Sequence, residues 1–249
     1  MPASRGLGRA TALELRKSAS TRARRWLLIA AGVVGLLTAG LVALTGPAED
    51  HTFSVISFYT QSAISLPLPL VSVLLMTRDF GRRTSSLTTG SGLSRDPIIA
   101  AKLLASMIIA VAGAVYGVLI SVLATSAATP GAGEGRWNAI GMIILGSLLV
   151  QFIAQLVGAG WGMLLGSSTL AIVADIVVPL GLWIVAGAVP GLQGVQGWLA
   201  PFASVRNLLS GRMDGQLWAQ VGVIALVWVV ALNAAGIFRV HRLSESDGR

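Results

Sequence analysis

Few side chains in this 249-residue chain could do chemistry inside an apolar environment, and their types exclude more than they allow. The chain has no cysteine, so disulfides, thiol nucleophiles and thiolate-bound metals are ruled out. Its two histidines, His51 and His241, fall outside the long apolar runs. That removes intramembrane haem ligation, zinc-dependent proteolysis and a serine–histidine dyad. Gly166-Ser167-Ser168 has no base beside it to make a nucleophile. No G-x-x-x-x-G-K-[ST] run occurs, so the chain cannot hold ATP through a P-loop of its own. It is expected to be no enzyme by itself, with no catalytic residue, cofactor or metal.

The polar groups within the apolar runs are the candidates that remain. Asp175 is the only acid embedded there, and an intramembrane carboxylate is costly enough to be a functional candidate by default. A hydrogen-bonded structural Asp is the other reading. Asn233 lies at a similar depth in the last run, which suggests an Asp175–Asn233 hydrogen bond. Gln151, Gln155, Gly158, Gly162 and Gly166 recur at intervals of four, three, four and four, placing two amides and three glycines on one helical stripe. Small residues let helix backbones approach and amides can bond across the contact, so this stripe reads as a packing face before a pathway lining.

The elements that must carry these groups are six apolar runs, at about 26–46, 57–76, 101–125, 139–165, 170–189 and 217–238. A hydrocarbon core of about 30 Å asks for about 20 such residues per helix. Composition agrees: 54% of residues are hydrophobic and 11% charged, against about 25% charged in soluble domains. Of 18 Lys and Arg, all but Arg136, Arg206 and Arg212 fall on one side if the N-terminus is cytoplasmic. That asymmetry is the positive-inside rule. The basic balance therefore reports orientation and not a nucleic-acid partner. The expected fold is an all-α integral membrane protein with six transmembrane helices and both termini inside, its first span an uncleaved signal anchor.

Residues 1–25 form a basic, weakly amphipathic segment suited to a helix on the inner membrane surface, the other reading being a disordered basic tail held by anionic lipid headgroups. Thr11-Ala12-Leu13-Glu14 matches a capping box, which places a helix start there. Asp96-Pro97 is a second start signal, so the third helix should begin inside the cytoplasm with Lys102 near the interface. Pro67, Pro69 and Pro179 imply kinks in the second and fifth helices. Gly166–Thr169 leaves the fourth and fifth helices as a tight hairpin. Residues 190–216 are too polar and too rich in glycine to span, but 198–209 retain enough apolar character for a short helix dipping into the outer leaflet.

The stretch from Leu66 to Leu104 carries a resemblance. An apolar helix ends in Leu74-Leu75-Met76, followed by Thr77-Arg78-Asp79-Phe80-Gly81-Arg82-Arg83-Thr84, a polar loop, and Ser94-Arg95-Asp96-Pro97-Ile98-Ile99-Ala100-Ala101-Lys102. With Glu14-Leu15-Arg16-Lys17 near the N-terminus, this resembles the permease subunit of type-2 ATP-binding-cassette (ABC) transporters, most of all actinobacterial members. Arg78-Asp79 stands where that family often has Glu. The resemblance implies an exporting permease half-transporter in the cell membrane, pairing with a second permease chain and with two copies of a separate ATPase that binds ATP and magnesium. It implies a connecting helix over residues 1–25 (Glu14, Arg16, Lys17) and a coupling loop over 77–97, where Arg78, Asp79, Arg82, Arg83, Arg95 and Asp96 would dock the ATPase. It also implies a pair of short re-entrant helices over 190–216 on the outer face. Gln151, Gln155, Asp175 and Asn233 would then pack helices or line a path. Two rival readings are a secondary transporter coupled to protons through Asp175, and a non-transporting regulatory or immunity protein.

Overall fold

Six helices are long and apolar enough to cross a membrane: Arg22–Thr45, Phe53–Arg78, Asp96–Ala127, Ile140–Leu165, Ser168–Ala188 and Gly215–Leu243. They belong to a computed structural model that describes residues 2–80, 96–129 and 135–246. In chain order the helices are α1 (Pro2–Ser20), α2 (Arg22–Thr45), α3 (Phe53–Ile64), α4 (Pro69–Phe80), α5 (Asp96–Ala127), α6 (Ile140–Leu165) and α7 (Ser168–Ala188). Then come α8 (Gln193–Leu199), α9 (Pro201–Leu209), α10 (Gly215–Ile224), a π-helical stretch (Ala225–Ala231) and α11 (Leu232–Ser246). Helix α6 is central, packing against α3, α4, α5, α7, α9 and α11. Helices α2 and α7 are the least buried spans.

The capping box does not start a helix. α1 already runs from Pro2, and Thr11 Oγ1 donates to the Leu7 carbonyl at 2.9 Å, a bond made in mid-helix. A cap needs the orphan N–H groups of a first turn, and in a continuous helix those groups are spent on the preceding carbonyls. Nor do all the arginines before the first span face lipid headgroups. α2 begins at Arg22, and Arg24 is buried, donating to Ser18 Oγ at 3.4 Å and Thr21 Oγ1 at 2.8 Å.

Two prolines divide the second span. Pro67 and Pro69 carry no N–H, so the helix ladder cannot pass through them, and the chain breaks between Ile64 and Pro69 before resuming as α4. Helix α5 starts at Asp96 with Pro97 in its first turn, well before its apolar part. Pro179, by contrast, sits inside α7 without ending it. Helix α6 ends at Gly166, whose φ of +62° closes the turn and whose N–H reaches the Gly162 carbonyl at 3.1 Å. The Arg239 guanidinium crosses just above that turn and donates to the Met163 carbonyl at 2.8 Å. The positive φ favours glycine there, and a Cβ would push aside the Arg239 guanidinium, whose Nη2 would lie 2.6 Å away.

The last span has an irregular period. Its buried residues are Gln220 and a stripe of Val221, Ile224, Trp228, Asn233, Gly236 and Val240, the stripe at intervals of three, four, five, three and four. The interval of five crosses the π-helical stretch, where bonds run from i to i+5. Trp228 at its centre donates to the Leu199 carbonyl at 2.8 Å, tying the span to the end of α8.

Candidate functional site: a lysine clamp and a cavity beside the helix break

Lys102, expected near the interface, makes contacts that its own segment does not announce. It is 1% exposed, with Nζ donating to Glu14 Oε2 at 2.9 Å and to the Leu75 carbonyl at 3.0 Å. One ammonium thus joins α1, the C-terminal half of α4 and the first turns of α5. The face that α1 turns to the bundle is correspondingly polar, with Thr11, Glu14 and Ser18 buried while Leu13 is exposed. Glu14 Oε1 accepts a second ammonium, from Lys17 at 2.9 Å. Burial pushes the Glu14 carboxyl up, but the hydrogen bonds and charges of Lys17 and Lys102 outweigh it and hold the group below its ordinary value.

Further bonds surround this point. Arg78 Nη1 donates to Thr21 Oγ1 at 3.1 Å, linking α4 to the α1–α2 junction. The Thr77 and Ser168 hydroxyls lie 2.7 Å apart, linking α4 to the start of α7. Asp96 at the start of α5 pairs with His241 of α11 at 3.1 Å, an exposed contact whose strength depends on the imidazole being protonated. Of the residues expected near an ATPase, Arg16 is exposed on α1, and Arg78 and Asp96 are exposed at the ends of α4 and α5. Arg82, Arg83, Arg95 and the side chain of Asp79 lie outside the described residues.

Within the bundle, the stripe of amides and glycines on α6 lies against the broken second span. Gln155 Nε2 donates to the Leu68 carbonyl at 3.0 Å, inside the break, and its Oε1 accepts the Ser72 hydroxyl, which also meets Ser106 of α5 at 2.9 Å. Gln151 Nε2 donates to Gln61 Oε1 at 3.0 Å, and Gln61 in turn reaches the Ala114 carbonyl of α5. The glycines fill the same role by being small. A Cβ on Gly158 would stand 2.6 Å from the Pro69 carbonyl oxygen, and one on Gly162 would stand 2.8 Å from Met76 Cβ. Non-helical backbone at membrane depth survives only where protein satisfies it, and α6 supplies that satisfaction here.

On its other side the break opens into a cavity of about 360 Å³. Ser65, Leu66 and Pro69 form one wall, and Val150, Ile153 and Val157 of α6 another. Asp175 and Ile176 of α7 close it, with Phe202 and Ser204 of α9 as its end. Asp175 is its only charged lining residue. The suggested Asp175–Asn233 bond is not formed. Asn233 Nδ2 donates to the Leu156 carbonyl at 2.9 Å and to the Val229 carbonyl of its own helix at 2.8 Å. The amide is spent on the Leu156 and Val229 carbonyls, whereas Asp175 faces a cavity lined on α6 by Val150, Ile153 and Val157.

Equal depth in two helices did not mean adjacency. No known family model matches this sequence. No curated protein is recognisably similar to it either. Geometry must therefore carry the functional reading.

Proposed function

We propose that this chain is the permease subunit of a type-2 ABC transporter, an exporter in which two permease chains pair with two copies of a separate ATPase. The observation that carries the reading is Lys102. It sits at the inner end of the bundle and binds the N-terminal helix to both helices that flank residues 81–95. A push delivered to that segment by a docked ATPase would be shared at once by α1, α4 and α5. Such a part is of little use to a protein that receives no force from the cytoplasm. Arg78 and Asp96 at the helix ends, with Asp79, Arg82, Arg83 and Arg95, form the docking surface in this reading, and Glu14, Arg16 and Lys17 form the connecting helix. ATP and magnesium are bound by the partner, and both termini lie in the cytoplasm of a cell-membrane protein. Helices α8 and α9 are the outer re-entrant pair.

ATP closes the two ATPases, and the shift is transmitted because the contacts around Lys102 and Thr77 differ between the two states. The test is co-purification of the membrane-expressed chain with an ABC ATPase encoded beside it, followed by ATP hydrolysis of the complex. The reading stands if the ATPase co-purifies and Arg82→Glu with Arg83→Glu abolishes association while insertion is unchanged. One observation favours a second reading, a proton-coupled secondary transporter: Asp175 lines the cavity beside the break in the second span. It wins if no ATPase binds and the purified chain moves solute under a proton gradient alone.

A further inference from the structure

The cavity beside the broken second span has an unusual composition. Its walls are aliphatic and aromatic, and its one charged group is the Asp175 carboxyl. Among the described residues Asp175 makes no hydrogen bond and no ion pair. The arginine of α9 does not supply a counter-charge: Arg206 holds its guanidinium 5.7 Å from the Trp183 ring centroid, two turns along α7 from Asp175. A carboxyl in apolar surroundings without a protein cation is available to pair with a cation from elsewhere, and intramembrane ionisable groups commonly mark substrate or ion sites.

The rest of the lining agrees. Phe202 offers an aromatic face, which attracts cations through its quadrupole. The Ser204 hydroxyl is buried without a hydrogen-bond partner among the described residues, and Ser65 adds a second hydroxyl on the facing wall. At about 360 Å³ the space lies towards the small end of the range, about 300–1,000 Å³, that accepts compact drug-sized molecules. An anion would meet the carboxylate with repulsion, and a cation would gain a charge-assisted contact that a neutral body lacks.

We infer that the cavity between the helix break, α6, α7 and α9 is a binding site for a compact lipophilic cation, with Asp175 as its counter-ion and Phe202 as its aromatic wall. The inference that such cations are also the exported substrate rests on the permease reading. The binding site itself does not.

The experiment uses matched hydrophobic ions. The purified full chain is placed in nanodiscs of uncharged phosphatidylcholine, and empty nanodiscs are subtracted. Binding of tetraphenylphosphonium is compared with that of tetraphenylborate, an ion of the same shape and opposite charge. The phosphonium should bind saturably and the borate should not. Asp175→Asn should weaken phosphonium binding by roughly tenfold or more, the size of one lost charge-assisted contact. Ala154→Phe, which fills the cavity from α6 and keeps the carboxyl, should abolish it while helicity and elution volume stay unchanged. Equal binding of both ions, or undiminished phosphonium binding by either variant, overturns the site. Neither outcome depends on an ATPase, so failure here is separable from failure of the permease reading.

Discussion

The clamp at Lys102 makes a quantitative demand. Its side chain is 2% exposed and that of Glu14 is 9% exposed, at an N–O distance of 2.9 Å. Breaking a buried ion pair by removing one partner costs about 3–5 kcal/mol, because the other charge stays buried. Glu14 also faces Lys17, whose side chain is 58% exposed, so water reaches one edge of the pair and the cost is lower. Glu14→Gln should therefore destabilise by about 2–4 kcal/mol. Lys102→Met, which keeps the stem volume and leaves the Leu75 carbonyl a donor short, should cost a similar amount. The double variant buries no charge at this point and should recover about 1–3 kcal/mol of the summed loss. Unfolding of the detergent-solubilised chain, followed by tryptophan fluorescence, measures all three. Proteolysis at Arg9 and Arg16 should accelerate in the singles as α1 lifts away. The pH dependence has a fixed sign. The Glu14 carboxyl is held below its ordinary value, so its contribution is complete above the ordinary carboxylate range and is lost as pH falls through the lowered one. Single variants within about 0.5 kcal/mol of the parent, with an additive double, would refute the argument, since that is how surface substitutions behave.

Other predictions follow from the stripe on α6 and from the topology. Gln155→Leu removes the donor to the Leu68 carbonyl and the acceptor for Ser72, and should lower stability by about 1–3 kcal/mol in the same unfolding assay. Gly158→Ala places a methyl against the Pro69 carbonyl, where backbone cannot yield, and should cost about 1–3 kcal/mol. Gly222→Ala, on α10 with open space around it, should be neutral or gain up to about 1 kcal/mol, and the contrast between the two glycines is the check. Because the chain lacks cysteine, single cysteines report sidedness directly. In intact cells Gly194→Cys should label with an impermeant maleimide, while Gly8→Cys and Arg242→Cys should label only after permeabilisation.

Much of the architecture was legible because membrane folds are written in local terms. The apolar runs mark the spans, Pro67 and Pro69 mark the break, and Gly166 marks the hairpin. What stayed hidden depended on distant partners. Lys102 and Glu14 are 88 positions apart, and nothing in either segment says that the lysine turns inward and not to the headgroups. The capping box failed for the opposite reason: a valid local motif was overruled because the helix had already begun at Pro2. Asn233 was misplaced because depth was read without rotation. The π-helical stretch shifts the phase of the last span, and a strict period of 3.6 residues puts that amide on the wrong side.

That shift leaves the last span carrying slack. Its core-facing residues follow an ordinary helical rhythm except at the step of five from Trp228 to Asn233. Removing Val230, which is exposed and lies between Trp228 and Asn233, would shorten that step to four and give an uninterrupted α rhythm from Val221 to Val240. Adding one would stretch it to six, which no helical turn satisfies. Helices crossing a membrane usually resist both operations alike. Here loss and gain should be unequal: a chain shortened by one at this point still inserts with every anchor facing its neighbour, whereas a chain lengthened by one must turn Asn233, Gly236 and Val240 towards lipid.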